Sequence, residues 1–226
     1  MKRLMLTVEG QTEAAFVTKV LAPHLANFNV VVGKPRLTGL HKRRRGRIPS
    51  GGMLNTFGHA LADMQTWLTE DQGDDARFSM MVDLFSLPND FPGYATAMAI
   101  NDPHAQVQAL EASLDGVMHD SRFISYLQLH EFEALVLVDP ERISCLYEGC
   151  DRQLKKLAKE CAEFDTPEHI NHGQHTHPKY RIKQAVPDYH ENVDGPELAD
   201  DIGIETLRST CKHFNDWLTV LEQLDK

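Results

Sequence analysis

The sequence predicts an α/β protein in which a mostly parallel sheet is flanked by helices and followed by a helical carboxyl-terminal part. An apolar run opens the chain and turns at a glycine into a helical pattern, and further short apolar runs then alternate with helix-length segments. After Asp139-Pro140 the apolar runs give way to helical pieces separated by polar loops. A soft boundary near Asp139 therefore separates an α/β core, residues 1–139, from a helical extension, residues 140–226, expected to pack on it as one unit.

Arg3 to Val8 is short and mostly apolar and ends at Glu9-Gly10, as a buried strand of a parallel sheet does. From Thr12, a residue type that caps helices, Ala15, Phe16, Val20 and Leu21 follow helical spacing to Pro23 or a little beyond. Asn29 to Val32 reads as a second strand, and Met53 to Leu68 as an amphipathic helix. Phe78 to Phe85 is another buried-strand run, interrupted only by Asp83, and a loop rich in Pro and Gly carries the chain through Gly93. Pro103 to Met118 reads as a helix and Phe123 to Leu129 as a strand. His130 to Val138 is apolar without a decisive period. Beyond the boundary, Asp151 to Phe164 is amphipathic and Pro167 to Pro178 is a histidine-rich turn region. Glu197 to Leu224 holds one or two helices anchored by Phe214, Trp217 and Leu221.

With 226 residues, 42% of them hydrophobic, the chain buries a substantial core without staples. No run approaches the roughly 20 apolar residues of a membrane span, and four cysteines without a CxxC pair suit reduced thiols, so a cytoplasmic protein is expected. A net charge of −10 excludes a protein that coats nucleic acid nonspecifically, because that binding is driven by phosphate neutralisation. Any nucleic-acid contact must be local, and Lys42, Arg43, Arg44, Arg45 and Arg47, between His41 and Pro49-Ser50-Gly51-Gly52, are the obvious candidate. The same run also suits a solvated loop.

Ligands of open parallel sheets gather at the carboxyl ends of the strands. Glu9 ends the first strand, Asp83 lies near the end of a central one, and His130-Glu131-Phe132-Glu133 follows a third. A carboxylate in an apolar run costs several kcal/mol to bury unless it is hydrogen-bonded, paired or metal-bound. Mg²⁺ or Mn²⁺ supplies such a reason, since Mg²⁺ takes one or two protein carboxylates and fills its remaining positions with water and phosphate oxygens. Glu9, Asp83, Glu131 and Glu133 are thus candidate catalytic residues, the first three as metal ligands, with Glu13 and His130 in support. The bland alternatives are a helix-start charge for Glu9, a turn former for Asp83 and a surface helix pattern for Glu131 and Glu133. His169, His172, His175 and His177 crowd one short stretch; such tracts bind zinc or nickel in some proteins and are plain solvated loops in others. No GxGxxG, GxxxxGK[ST] or GxSxG motif is present.

Val8-Glu9-Gly10-Gln11-Thr12-Glu13, Val82-Asp83-Leu84-Phe85, Leu87-Pro88-Asn89-Asp90-Phe91-Pro92-Gly93, Leu129 to Leu135 and Cys211 to Leu218 together resemble the bacterial domain of unknown function family 4276. That family is similar to the Toprim-like domains of overcoming-lysogenization-defect nucleases, which work beside an ABC-type ATPase in phage defence. The resemblance implies a Toprim-like (Rossmann-like) core and a metal-dependent nuclease acting on DNA or RNA with an ABC/AAA-type ATPase partner. It places a metal-binding glutamate at Glu9, with Glu13 one turn on, and the first aspartate of an Asp-x-Asp motif at Asp83. Position 85 is Phe85 rather than a second aspartate, so Glu131 and Glu133 are candidates to complete the set, and the alternative is a catalytically degenerate regulatory or binding partner of an ATPase. Lys179 and Arg181, with Lys183, match a basic region after a proline that would touch phosphate. Self-association as a homodimer is left open.

Overall fold

Strand β1 (Lys2–Val8) is buried because it is apolar toward both faces of a sheet: Leu4, Leu6 and Val8 join one hydrophobic cluster and Met5 another. The computed structural model describes residues 1–38, 57–170, 173 and 175–226. From β1 the chain turns at Gly10 into α1 (Gln11–Phe16), continues through a π-helical turn (Val17–Leu21) into α2 (Ala22–Ala26), and returns as β2 (Val30–Val32) and β3 (Arg36–Leu37). Helix α3 (Phe57–Glu70) leads to β4 (Ala76–Asp83), a 3₁₀ turn (Leu84–Ser86) and the short α4 (Tyr94–Ala97). Helix α5 (Pro103–Met118) then leads to β5 (Phe123–Ile124) and β6 (Leu127–Gln128).

Every pairing among these strands is parallel. One edge of β1 takes β2 and then β3, its other edge takes β4, and the far edge of β4 takes β5 and then β6. The α/β class with a mostly parallel sheet is therefore the observed one. The register sets Val8 opposite Met81 and Asp83 opposite Gln128, so the carboxyl ends of β1, β4 and β6 open on one edge.

The chain then forms α6 (Glu133–Val136), a 3₁₀ segment (Pro140–Cys145), α7 (Asp151–Cys161), a 3₁₀ turn (Pro167–His169), α8 (Pro178–Ala185), α9 (Glu191–Ile202), α10 (Ile204–Thr210) and α11 (Lys212–Glu222). Residues of α7 to α11 share one buried cluster with Leu4, Phe16 and Met81, whereas α3 and α5 cover the opposite face through Met64, Trp67, Leu110 and Leu114. The helical part is thus a layer on the sheet. Among the described residues no helix is long and apolar enough to cross a membrane, and all four cysteines are free.

Several expectations are corrected. The first helix starts at Gln11, not Thr12: the Glu13 carboxylate accepts from the Gly10 amide at 2.7 Å, and Thr12 Oγ1 instead donates to Asn192 Oδ1. The strand expected over 78–85 stops at Asp83, because Leu84 turns and the Phe85 amide donates to the His130 carbonyl. The strand expected over 123–129 is broken at Ser125-Tyr126, where the Tyr126 ring turns into the core and stacks 4.1 Å from Trp217. The last region holds three helices, not one or two; Gly203, at φ 83°, separates α9 from α10 in a conformation that favours glycine. Of the helix expected over 53–68, residues 53–56 lie outside the described residues.

Candidate active site: an acid cluster at the strand ends

The Glu9 amide continues the β1–β4 ladder by donating to the Met81 carbonyl, which fixes the start of the turn. Its carboxylate folds back over the end of β4, where Oε2 accepts from the Asp83 amide at 3.1 Å and Oε1 from Ser86 Oγ at 2.5 Å. Burial raises the pKa of Glu9; those two hydrogen bonds oppose the rise. Glu13, one turn into α1, is 5% exposed and is pushed up to about 7, mainly by burial and then by the charge of Glu9.

Asp83 closes β4 with its side chain buried, and its Oδ1 has no hydrogen-bond partner among the described residues. Its carboxyl is held well above the usual range by desolvation and then by Glu9, Glu13, Glu133 and Glu131. All four glutamates thus act on Asp83 at the carboxyl edge of β1, β4 and β6. Glu133, at the start of α6, is 2% exposed, leaves Oε1 unpartnered among the described residues, and is pushed up to about 8 by desolvation, opposed by Lys179.

Glu131 draws its partners from the helical part. Its Oε1 accepts from the Lys179 amide at 2.5 Å and lies 2.8 Å from His177 Nδ1. Both partners come from the start of α8, where His177 is the cap, its Nδ1 accepting from the Tyr180 amide, and amides point outward toward negative charge. The Lys179 ammonium pairs with Glu191 at 2.7 Å. Burial lowers its pKa, but the surrounding acids, Glu133 and Glu191 first, outweigh this, and it stays charged. His130 is buried at φ 62°, a left-handed conformation that costs a non-glycine residue about 1 kcal/mol or more.

The candidates at Glu9, Glu13, Asp83, His130, Glu131 and Glu133 thus fall together, and Lys179 joins them as their counter-charge. Arg181 does not; its guanidinium bonds the Thr176 carbonyl and lies against Phe164 and Glu160. Lys42, Arg43, Arg44, Arg45 and Arg47 lie outside the described residues. Asp90 caps α3 by accepting from the Phe57 amide, and Phe85 is 41% exposed at the rim, its ring 6.1 Å from that of His130. Ser86 and Glu191 escape the sequence reading, and His177 enters it only within the histidine-rich stretch. For His177 a signal exists, since His-Pro before a helical pattern marks a cap, but nothing local marks the others. The histidine-rich stretch divides: His177 serves the acid cluster, His169 turns to α5, and His172 lies outside the described residues.

The donor chemistry suits a hard dication: carboxylate oxygens predominate, two of them buried without a partner among the described residues, and desolvation first, then the neighbouring acids, raises their pKa values. The expected trio of Glu9, Asp83 and Glu131 needs correction in one respect. Among the described residues no three His, Cys, Asp or Glu side chains are already grouped as a ligand set. Glu9 and Glu131 are turned onto amide, hydroxyl and imidazole partners, whereas Asp83 and Glu133 each keep a buried oxygen without a partner among the described residues.

A family model described as "Domain of unknown function (DUF4276)" matches residues 8–222. The chain belongs to that family. The match takes in every member of the DUF4276 acid cluster. No curated protein matches this DUF4276 chain. Two solved structures of the C-terminal region of the OLD protein of Xanthomonas campestris pv. campestris, phased with iodine and with mercury, are similar to it. They share 12% and 14% sequence identity, with TM-scores of 0.39 and 0.36. Each alignment covers 97% of this chain, and 97% and 98% of the solved chains respectively.

Proposed function

We propose that this chain is a metal-dependent nuclease that hydrolyses phosphodiester bonds of DNA or RNA, and that it serves as the effector of an ATPase-linked phage-defence system. The observation that carries the reading is the convergence of buried acids from three strand ends, with Asp83 Oδ1 and Glu133 Oε1 lacking partners among the described residues. The Glu-Gly-x-x-Glu opening, shared with Toprim-like nucleases, supports it, as does the resemblance that points to an ABC/AAA-type ATPase partner.

Mg²⁺ or Mn²⁺ would be held by Asp83 and Glu133, with Glu9 and Glu131 completing the set. When bound, such an ion supplies charge neutralisation for the attacking and leaving oxygens of the displacement. The chain's own groups prepare the site. The Asp83 amide and Ser86 orient Glu9, and α8 orients Glu131. Glu133 keeps its proton near neutral pH while the site is metal-free, and Lys179 offsets part of the remaining negative charge. The basic residues from Lys42 to Arg47 would hold the nucleic-acid backbone.

The test is cleavage of plasmid, single-stranded DNA and tRNA with Mg²⁺ or Mn²⁺, with and without the ATPase partner. Wild type cuts at least one substrate, and Asp83→Asn and Glu9→Gln reduce cutting to background. Equal cutting by Asp83→Asn and wild type overturns the assignment. One observation favours a second reading, a catalytically degenerate binding or regulatory partner: Phe85 occupies the position of the second aspartate at the rim of the site. That reading gains if no substrate is cut and Asp83→Asn binds the ATPase as wild type does.

A further inference from the structure

We propose that His104 and His169 form a second metal site, apart from the acid cluster, that takes a transition-metal dication of the Zn²⁺ class. His104 lies in the first turn of α5 and His169 ends the 3₁₀ turn Pro167–His169, so the pair joins the α/β half to the helical half. Nε2 of His169 is 3.1 Å from Nδ1 of His104, with ring centroids 4.8 Å apart at an interplanar angle of 66°. In a tetrahedral site with Zn–N bonds of about 2.0–2.1 Å, neighbouring ligand nitrogens lie about 3.3 Å apart. The two ring nitrogens are already near that spacing.

The other side of His104 carries the second observation. Its Nε2 is 3.0 Å from Oε2 of Glu168, a residue with no exposed surface. Glu168 cannot swing away, because its two oxygens also accept from the amides of His213 and Phe214 at the start of α11, each at 3.0 Å. A fixed carboxylate at Nε2 places the ring proton there and leaves Nδ1 deprotonated, facing His169. Carboxylate, histidine, metal is the usual order around a metal-bound imidazole, in which the carboxylate sets the tautomer and raises ligand basicity.

In the metal-free chain one proton, on Nε2 of His169, bridges the two rings. A dication would take that proton's place, the proton moving to Nδ1 of His169, so that both imidazoles remain neutral ligands. Among the described residues no third His, Cys, Asp or Glu completes the set, so water fills the remaining positions. The His104 side chain is 21% exposed and His169 is half-buried, which gives the ion a way in. Imidazole donors select Zn²⁺, Ni²⁺ or Cu²⁺ over Mg²⁺, the reverse of the carboxylate cluster at the strand ends.

The experiment uses the full chain without a histidine tag, with millimolar Mg²⁺ present to occupy hard oxygen sites. Zn²⁺ binding is measured calorimetrically, and Co²⁺ is added as a probe whose visible bands report nitrogen ligation. Wild type binds Zn²⁺, and both His169→Ala and His104→Asn weaken that binding at least tenfold and remove the Co²⁺ bands. Glu168→Gln weakens it by about 10- to 100-fold. His169→Ala leaves the His104–Glu168 contact in place, and its metal-free melting curve checks folding. Zn²⁺ bound equally by wild type and His169→Ala overturns the proposal. Zn²⁺ binding lost only in Asp83→Asn, or absent in wild type at micromolar Zn²⁺, overturns it too.

Discussion

Glu133→Gln in the metal-free protein is the sharpest test of the electrostatics at the strand ends. The Glu133 carboxyl is raised from 4.5 to about 8, with desolvation first among the causes. A folded-state pKa above the unfolded value means that the folded chain favours the neutral acid. The stability this provides is complete below pH 4.5 and is lost as pH rises toward 8. That rise, at 1.36 kcal/mol for each pH unit of the window, sets a ceiling of roughly 5 kcal/mol, and a realistic expectation is a few kcal/mol. Glutamine cannot titrate, so the variant lacks this loss. It also brings an amide to a buried place where Oε1 has no partner among the described residues, a penalty that does not vary with pH. The quantity to read is therefore how the stability difference between the two proteins changes with pH. Urea unfolding in chelator from pH 4.5 to 8.5 should show wild type falling relative to Glu133→Gln by a few kcal/mol, and Mn²⁺ should restore wild type but not the variant at pH 8. Parallel pH profiles would refute the buried, charge-crowded description.

Two further predictions concern the scaffold. Gly93 sits at φ 73°, and a Cβ there would come 2.3 Å from Ser113 Oγ on α5, so Gly93→Ala should cost about 3 kcal/mol in urea unfolding. Glu222 accepts from Arg208 at 2.6 Å and contacts His24 at 2.7 Å, and these partners outweigh its desolvation and hold its pKa below 4.5. Glu222→Gln should therefore cost about 2 kcal/mol at pH 7, and its difference from wild type should shrink as pH falls below 4.5, where the lowered carboxyl of wild type takes up its proton.

The acids were legible because burial made them anomalous. Glu9 and Asp83 each interrupt or end an apolar run, and period and turn chemistry suffice to place both at strand ends. The parallel direction of the strands, and hence a shared edge for their carboxyl ends, followed from the alternation of strands with helices, whereas the order of the strands did not. The counter-charges were not legible in the same way. Lys179 lies 48 residues from Glu131 in a stretch that reads as a phosphate contact, not as a partner of the acids, and its amide reaches the carboxylate through a tertiary approach that no local pattern encodes. The break at Tyr126 was hidden for a related reason: its ring leaves the strand to stack on Trp217, which is distant in sequence. His104 and His169 show the same limit, since their approach depends on where α5 and the turn before α8 come to rest.

These long-range contacts bear on how the two halves depend on one another. The acids at the strand ends belong to the first 139 residues, yet the groups that stabilise their charge, His177, Lys179 and the start of α8, belong to the rest. The apolar packing repeats the division, because Leu4, Phe16 and Met81 are covered by Phe214, Trp217 and Leu221. An isolated opening half would expose that apolar face and hold Glu9, Glu13, Asp83, Glu131 and Glu133 together without Lys179. Burial of one carboxylate is already unfavourable by several kcal/mol, and the neighbouring acids compound it at Asp83. The helical layer is therefore part of the site's electrostatics as well as its cover. A dication at the edge and a lysine from α8 act in the same direction, each offsetting charge that the strand ends concentrate.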